Sequence, residues 1–268
     1  MKFPKFVSLA LLFCVSAAAL AFDHSHAAWD ALLKHYVVLT NGGNASAVRY
    51  GDLQGQRLAL KSYLATLSAV TEGEYASWSK AERLAFLINA YNAFTVELIL
   101  THYPQLQSIK DLGGLFRSPW KQRFFTLLGE KRHLDNLEHD LMRGPNGFQE
   151  PRIHFAVNCA SIGCPMLRNE AYTAKRLDAQ LEDGLRRFLS DRSRNRFDGA
   201  SGTLQVSKIF QWYGEDFEQG HGGFDSLEGT FAKYAGQLAE SESERQRIRA
   251  RQYRLQFLDY DWRLNDAR

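Results

Sequence analysis

Apolar residues recur at helical spacing along most of the chain. Residues 53–70 carry Leu58, Leu60, Tyr63, Leu64 and Leu67 as the apolar positions of one predicted helix. Ser79-Lys80-Ala81-Glu82 has the form of a capping box and opens a second, which runs through Phe86, Ala90 and Phe94 to His102 before Pro104. Leu84, Phe86, Leu87, Ile88, Phe94, Val96, Leu98 and Ile99 make that helix apolar nearly all round, so it should be buried. Further helices are predicted over residues 29–39 (ended by Asn41-Gly42-Gly43-Asn44), 136–143 (ended by Gly144-Pro145), 172–189, 224–238 and 240–252. In residues 172–189, Leu177, Leu181, Leu185 and Phe188 are in phase.

Shorter runs read as strands. Residues 124–128 and 131–134 flank Gly129-Glu130 like a hairpin. Residues 153–158, 204–210 and 253–262 complete the set. No internal repeat or low-complexity linker divides the chain. The predicted architecture is α+β: a single helix-rich domain with a small, mainly antiparallel sheet.

The N-terminus reads differently. Lys2 and Lys5 precede an apolar run over residues 6–15, then a small-residue segment ending Ala19-Leu20-Ala21. This is the pattern of a secretory signal peptide cleaved after Ala21. The run is too short for a comfortable membrane span. Cys14 follows Phe13 rather than a small residue, so no lipoprotein anchor is read, and no later stretch is read as long and apolar enough to span a bilayer. The chain is thus divided into residues 1–21 as signal peptide, 22–52 as an N-terminal helical segment and 53–268 as the main domain. An exported, bacterial, periplasmic protein is expected. Losing Lys2 and Lys5 would take the formal charge from +3 to about +1, which leaves no basic field for nucleic acid. The expected partner is a small-molecule, peptide or cell-envelope ligand.

The richest chemistry lies in Pro151-Arg152-Ile153-His154-Phe155-Ala156-Val157-Asn158-Cys159-Ala160-Ser161-Ile162-Gly163-Cys164-Pro165. Of three cysteines, cleavage would leave Cys159 and Cys164. An even pair in an exported protein favours a disulfide, which over so short a loop contributes only about 2 kcal/mol. The other reading makes Cys159 a nucleophile, which needs a base or a positive environment to form thiolate. His154 is one candidate base, but on a straight strand it would sit roughly 16 Å from Cys159. His139 is the second candidate.

Glu138 and His139 read as an acid–base or metal pair, with Asp135 and Glu138 also suited to capping the helix start. On an α-helix these neighbours diverge and cannot easily face one substrate atom. Asn89 and Asn92 share one face of the buried helix and require partners. They either orient a histidine or tie the helix to neighbouring backbone. Tyr91, Trp212, Tyr213, Asp216, Tyr260 and Asp261 form aromatic–acid clusters, which line a groove or pack as core. Cleavage after Ala21 would also present Phe22-Asp23-His24, whose amine, amides and His24 imidazole suit copper(II) or nickel(II), with His26 close by. No Cys-x-x-Cys, His-Glu-x-x-His, Gly-x-Ser-x-Gly or phosphate-binding loop occurs, and no cofactor is expected.

Several strings together resemble the domain of unknown function 547 family. They are Asn89-Ala90-Tyr91-Asn92, Leu134-Asp135-Asn136-Leu137-Glu138-His139, residues 151–165, Val206-Ser207-Lys208-Ile209-Phe210-Gln211-Trp212-Tyr213 with Asp216-Phe217, and Leu258-Asp259-Tyr260-Asp261-Trp262-Arg263-Leu264-Asn265. The resemblance runs from about residue 53 onward and implies no settled activity. Two functions therefore stand side by side. One is a thiol-dependent hydrolase or acyl transferase with Cys159 as nucleophile, His154 or His139 as base, and Asn89, Asn92 or Glu138 orienting it. The other is a non-enzymatic cell-envelope binding or scaffolding domain braced by a Cys159–Cys164 disulfide.

Overall fold

A computed structural model describes residues 21–114 and 118–267. The signal peptide expected over the first residues lies outside them, apart from Ala21.

The chain opens with α1 (Ala27–Tyr36) and a hairpin of β1 (Val37–Thr40) and β2 (Ala45–Val48). The helix predicted to reach residue 39 therefore ends three residues earlier, where the β-branched Val37 and Val38 enter a ladder. Helices α2 (Tyr50–Gln54), α3 (Arg57–Ala69), α4 (Glu72–Ser77) and α5 (Lys80–Leu100) follow. Helix α3 buries Leu60, Tyr63, Leu64 and Leu67, with Tyr63 stacked on Trp29 of α1. Leu58 is 79% exposed, so it lies off the predicted face.

Helix α5 organises the first core. Ser79 and Glu82 form the predicted capping box, and every residue from Leu84 to Leu100 is buried. By length and composition α5 is the one helix among the described residues able to cross a membrane, contrary to expectation. Here it is enclosed by protein, and its Glu97 takes bonds from the Arg57 guanidinium.

The hairpin of β3 (Phe125–Leu127) and β4 (Glu130–Arg132) forms as predicted. Beyond it come α6 (Leu177–Ser190), β5 (Arg196–Asp198), β6 (Thr203–Ser207), α7 (Ile209–Trp212), α8 (Leu227–Lys233), α9 (Ala235–Leu238), α10 (Glu242–Arg249) and β7 (Arg254–Leu258). Strand β6 pairs antiparallel with β5 and parallel with β7. Among the described residues there are thus three small sheets of two or three strands, mainly antiparallel, in an α+β fold. Phe188, Phe210, Phe217 and Phe231 fill a second core.

The strand predicted over 204–210 gives way to α7 at Ile209, and the helix predicted over 224–238 begins at Leu227 and breaks at Tyr234. Two segments near the cysteine turn depart further from expectation. Residues 153–158 are not a strand: Pro151–Phe155 form a 3₁₀ helix, with Pro151 in its first turn and the Glu150 side chain accepting from the Arg152 amide. Gly184 of α6 lies so close that a Cβ there would stand 3.0 Å from the Phe155 carbonyl oxygen. Asn136–Met142 is a π-helix, without a side-chain cap from Asp135. Its wider turn reorients successive side chains, and such turns recur at functional sites.

Candidate functional site

A cavity of about 280 Å³ opens where these irregular segments meet. The 3₁₀ helix contributes His154, the following turn Cys159 and Cys164, and the π-helix both Glu138 and His139. Glu138 and His139, expected to diverge, thus both line this cavity. Tyr91 reaches the cavity from α5, and Trp212 and Tyr213 from the α7 end. Tyr260 and Trp262 come from the segment after β7.

The cysteine turn is tightly braced. Asn92 donates to the Ala156 carbonyl at 2.9 Å and accepts from the Asn158 amide at 2.8 Å. Asn158 in turn accepts from the Ala160 amide and donates to the Pro165 carbonyl. Asn89 makes a matching pair of bonds with the Tyr172 backbone. Both helix asparagines are thus structural ties, and neither bonds a histidine. The chain after β7 closes the far side: Ile162 donates to the Arg263 carbonyl, and Gly163 to that of Asp261. Glycine suits position 163, because a Cβ would stand 3.0 Å from the Asp261 backbone and Tyr260 ring, which would then have to give way.

Cys159 and Cys164 are both free. The Cys159 amide lies 2.8 Å from Cys164 Sγ. Cys159 Sγ is 3.1 Å from Ser161 Oγ and 3.2 Å from the Tyr260 hydroxyl. Hydrogen bonding from Cys164 brings the Cys159 thiol down to about 7 against the opposing effect of burial, with Ser161 and Tyr260 assisting. Burial and the neighbouring Cys159 push Cys164 well up. The pair is asymmetric: one sulfur forms thiolate near neutrality, and the other supplies the proton that stabilises it.

His154 is buried, stacked on Tyr213 at 4.0 Å between centroids, with Nε2 2.6 Å from Asp216 Oδ2. Burial of Asp216 opposes its ionisation, but bonds from His154 and Arg143 prevail and hold its carboxyl well below the usual range. Asp216 is then acceptor only, so Nε2 carries the proton. Burial depresses the imidazole itself and favours its neutral form, against the pull of Asp216 and Glu138. Nδ1 is buried without a hydrogen bond, 3.9 Å from Glu138 Oε1. His139 is differently placed: Arg143 bonds its Nδ1, and its Nε2 is 3.5 Å from Asp135 Oδ1.

The remaining candidates separate. Asp261 does not line this cavity; its carboxylate is held by Arg263. His24 packs on Trp78, 4.0 Å from Glu82, and His26 is buried against the Tyr63 hydroxyl. Among the described residues no cluster of three His, Cys, Asp or Glu suits a metal ion. Arg143, Ser161 and Trp120 are site residues not singled out from sequence, whereas Trp262 belongs to the Tyr260-Asp261-Trp262 aromatic–acid cluster. Ser161 was signalled by its place inside the cysteine turn, whereas Arg143 carried no local signal.

No curated protein and no solved structure matches this chain. The family match stops short of Asp216 and Tyr260, so the groups that hold His154 and Cys159 come in part from outside it. Residues 75–189 match the model of the family described as Protein of unknown function, DUF547, which supports membership of that family.

Proposed function

We infer that this protein is a thiol-dependent acyl-transfer enzyme, a hydrolase or acyl transferase, with Cys159 as nucleophile, His154 as base and Asp216 orienting the imidazole. One observation carries the reading: the Nδ1 lone pair of His154 is buried and unpartnered while Nε2–H is fixed by Asp216. An unsatisfied buried acceptor costs about 1–3 kcal/mol and calls for an explanation. A proton acceptor for the reaction is one. His154 and Cys159 line the same cavity.

The chemistry balances as follows. The Cys159 thiol gives its proton to His154 Nδ1, and the thiolate attacks an acyl carbonyl. The imidazolium, held by the ionised Asp216, returns that proton to the departing amine or alcohol, leaving a thioester on Cys159. Water or a second acceptor then attacks the thioester, its proton passing through Nδ1 back to the thiol.

Intact mass after exposure to an activated ester is the test. A single acyl adduct is expected on the wild-type chain and none on Cys159→Ala, with both variants folded. Persistent turnover by Cys159→Ala would sink the reading. A bracing role predicts instead that Cys159 and Cys164 substitutions cost equal stability. Export from a bacterial cell, into the periplasm, belongs to the same proposal and rests on Lys2, Lys5 and the Ala19-Leu20-Ala21 segment. The exported chain is expected to begin at Phe22.

A further inference from the structure

The cavity's remaining wall is aromatic. Trp212 lies 4.9 Å from Tyr260 and 5.8 Å from Trp262, and Trp120 lies 5.8 Å from Trp262, centroid to centroid. These rings arrive from three distant parts of the chain, and Trp212 remains 45% exposed.

The charge lining the cavity from the carboxylates and cations of the chain has one sign. Asp135 and Glu138 line the cavity, and among the described residues no lysine or arginine does. Arg143, nearby, is committed to Asp216. Glu138 is only 7% exposed, yet forms no ion pair with lysine or arginine among the described residues. Its neighbours are the Tyr213 hydroxyl and His154 Nδ1. Arg143 attracts Glu138 through space without a direct bond, so the buried carboxylate has no cation in contact, which is costly and favours capture of one. The aromatic cluster already attracts a cation: the Lys110 ammonium, which does not line the cavity, sits 4.2 Å from the Trp262 ring centre.

We propose that this cleft binds an organic cation, a quaternary ammonium or protonated alkylamine carried by the substrate, against the cavity-facing surface of the packed Trp212, Tyr260 and Trp262 cluster, with Glu138 as counter-charge. Ring quadrupoles and a sheltered carboxylate attract such a group together, and a cavity of this size accommodates it. The inference rests on the acyl-transfer reading for the identity of the cavity as substrate site. Binding itself requires no thiol.

The test uses the full chain carrying Cys159→Ala, titrated with choline, with its neutral isostere 3,3-dimethylbutan-1-ol, and with N-acetylglucosamine. Tryptophan fluorescence and calorimetry report binding. Choline is expected to saturate, with the isostere about tenfold weaker. Trp212→Ala should weaken choline by about three- to tenfold, and Glu138→Gln should narrow the gap between choline and isostere. If Glu138→Gln does not fold, the exposed Trp212→Ala variant decides. Equal binding of choline and isostere, no saturable binding, or a preference for the neutral sugar overturns the proposal. The two readings fail separately: loss of acylation by the wild-type chain removes the enzyme, and loss of cation preference removes only this substrate class.

Discussion

His154 and Asp216 stand 62 residues apart in the chain and 2.6 Å apart in the fold. The pairing fixes which imidazole nitrogen carries hydrogen and leaves Nδ1 for chemistry. Asp216→Asn removes the charge that holds that tautomer and supports an imidazolium. Acylation of Cys159 should fall by roughly 10²–10⁴-fold, with the circular dichroism spectrum retained. A variant with unchanged acylation would show that Asp216 is only a packing partner.

The thiolate should be measurable directly. The rate of iodoacetamide alkylation of Cys159 should rise with pH through an inflection at about 7. Cys164→Ala removes the largest contribution and should move the inflection upward; Tyr260→Phe should do so by less. An inflection left at the ordinary thiol value of about 8.5 would contradict the sulfur pair's role.

Asn92→Ala tests the brace behind the turn. It leaves the buried Ala156 carbonyl and Asn158 amide without their partner. Urea unfolding should show a loss of about 2–4 kcal/mol, against about 0.5 kcal/mol for an ordinary surface change.

Gly163→Ala places a methyl 3.0 Å from the Asp261 backbone. Overpacking of this kind costs about 1–3 kcal/mol. Because the displaced segment carries Tyr260, the Cys159 alkylation inflection should rise together with the loss of stability. A stability loss with no change in thiol reactivity would uncouple the segment from the site.

His26 supplies a pH dependence remote from the cavity. Burial lowers its folded value from 6.5 to about 4. The unfolded chain therefore binds the proton first, and stability is lost as pH falls from about 6.5 towards 4, by roughly 3 kcal/mol in all. His26→Asn should flatten that slope in unfolding curves, whatever it does to stability at pH 7. Asparagine suits the left-handed backbone at this position, where φ is 51°.

What the sequence determined by itself was written locally. The Ser79–Glu82 box, the apolar run of α5 and the in-phase Leu177, Leu181, Leu185 and Phe188 were each legible, because their bonds and periodicity join residues a few positions apart. The cysteine turn was legible as a candidate for the same reason. Only tertiary structure decided how the candidates combine. Ile153, Phe155 and Val157 alternate like a strand, yet Pro151, the Glu150 cap and the close approach of Gly184 turn that segment into a 3₁₀ helix. Glu138 and His139, neighbours expected to diverge, line one cavity from a π-helix. Asp216 chooses His154, and Tyr260 reaches Cys159 across 101 positions. Such pairings depend on long-range packing that orders distant segments together, and no local pattern encodes them.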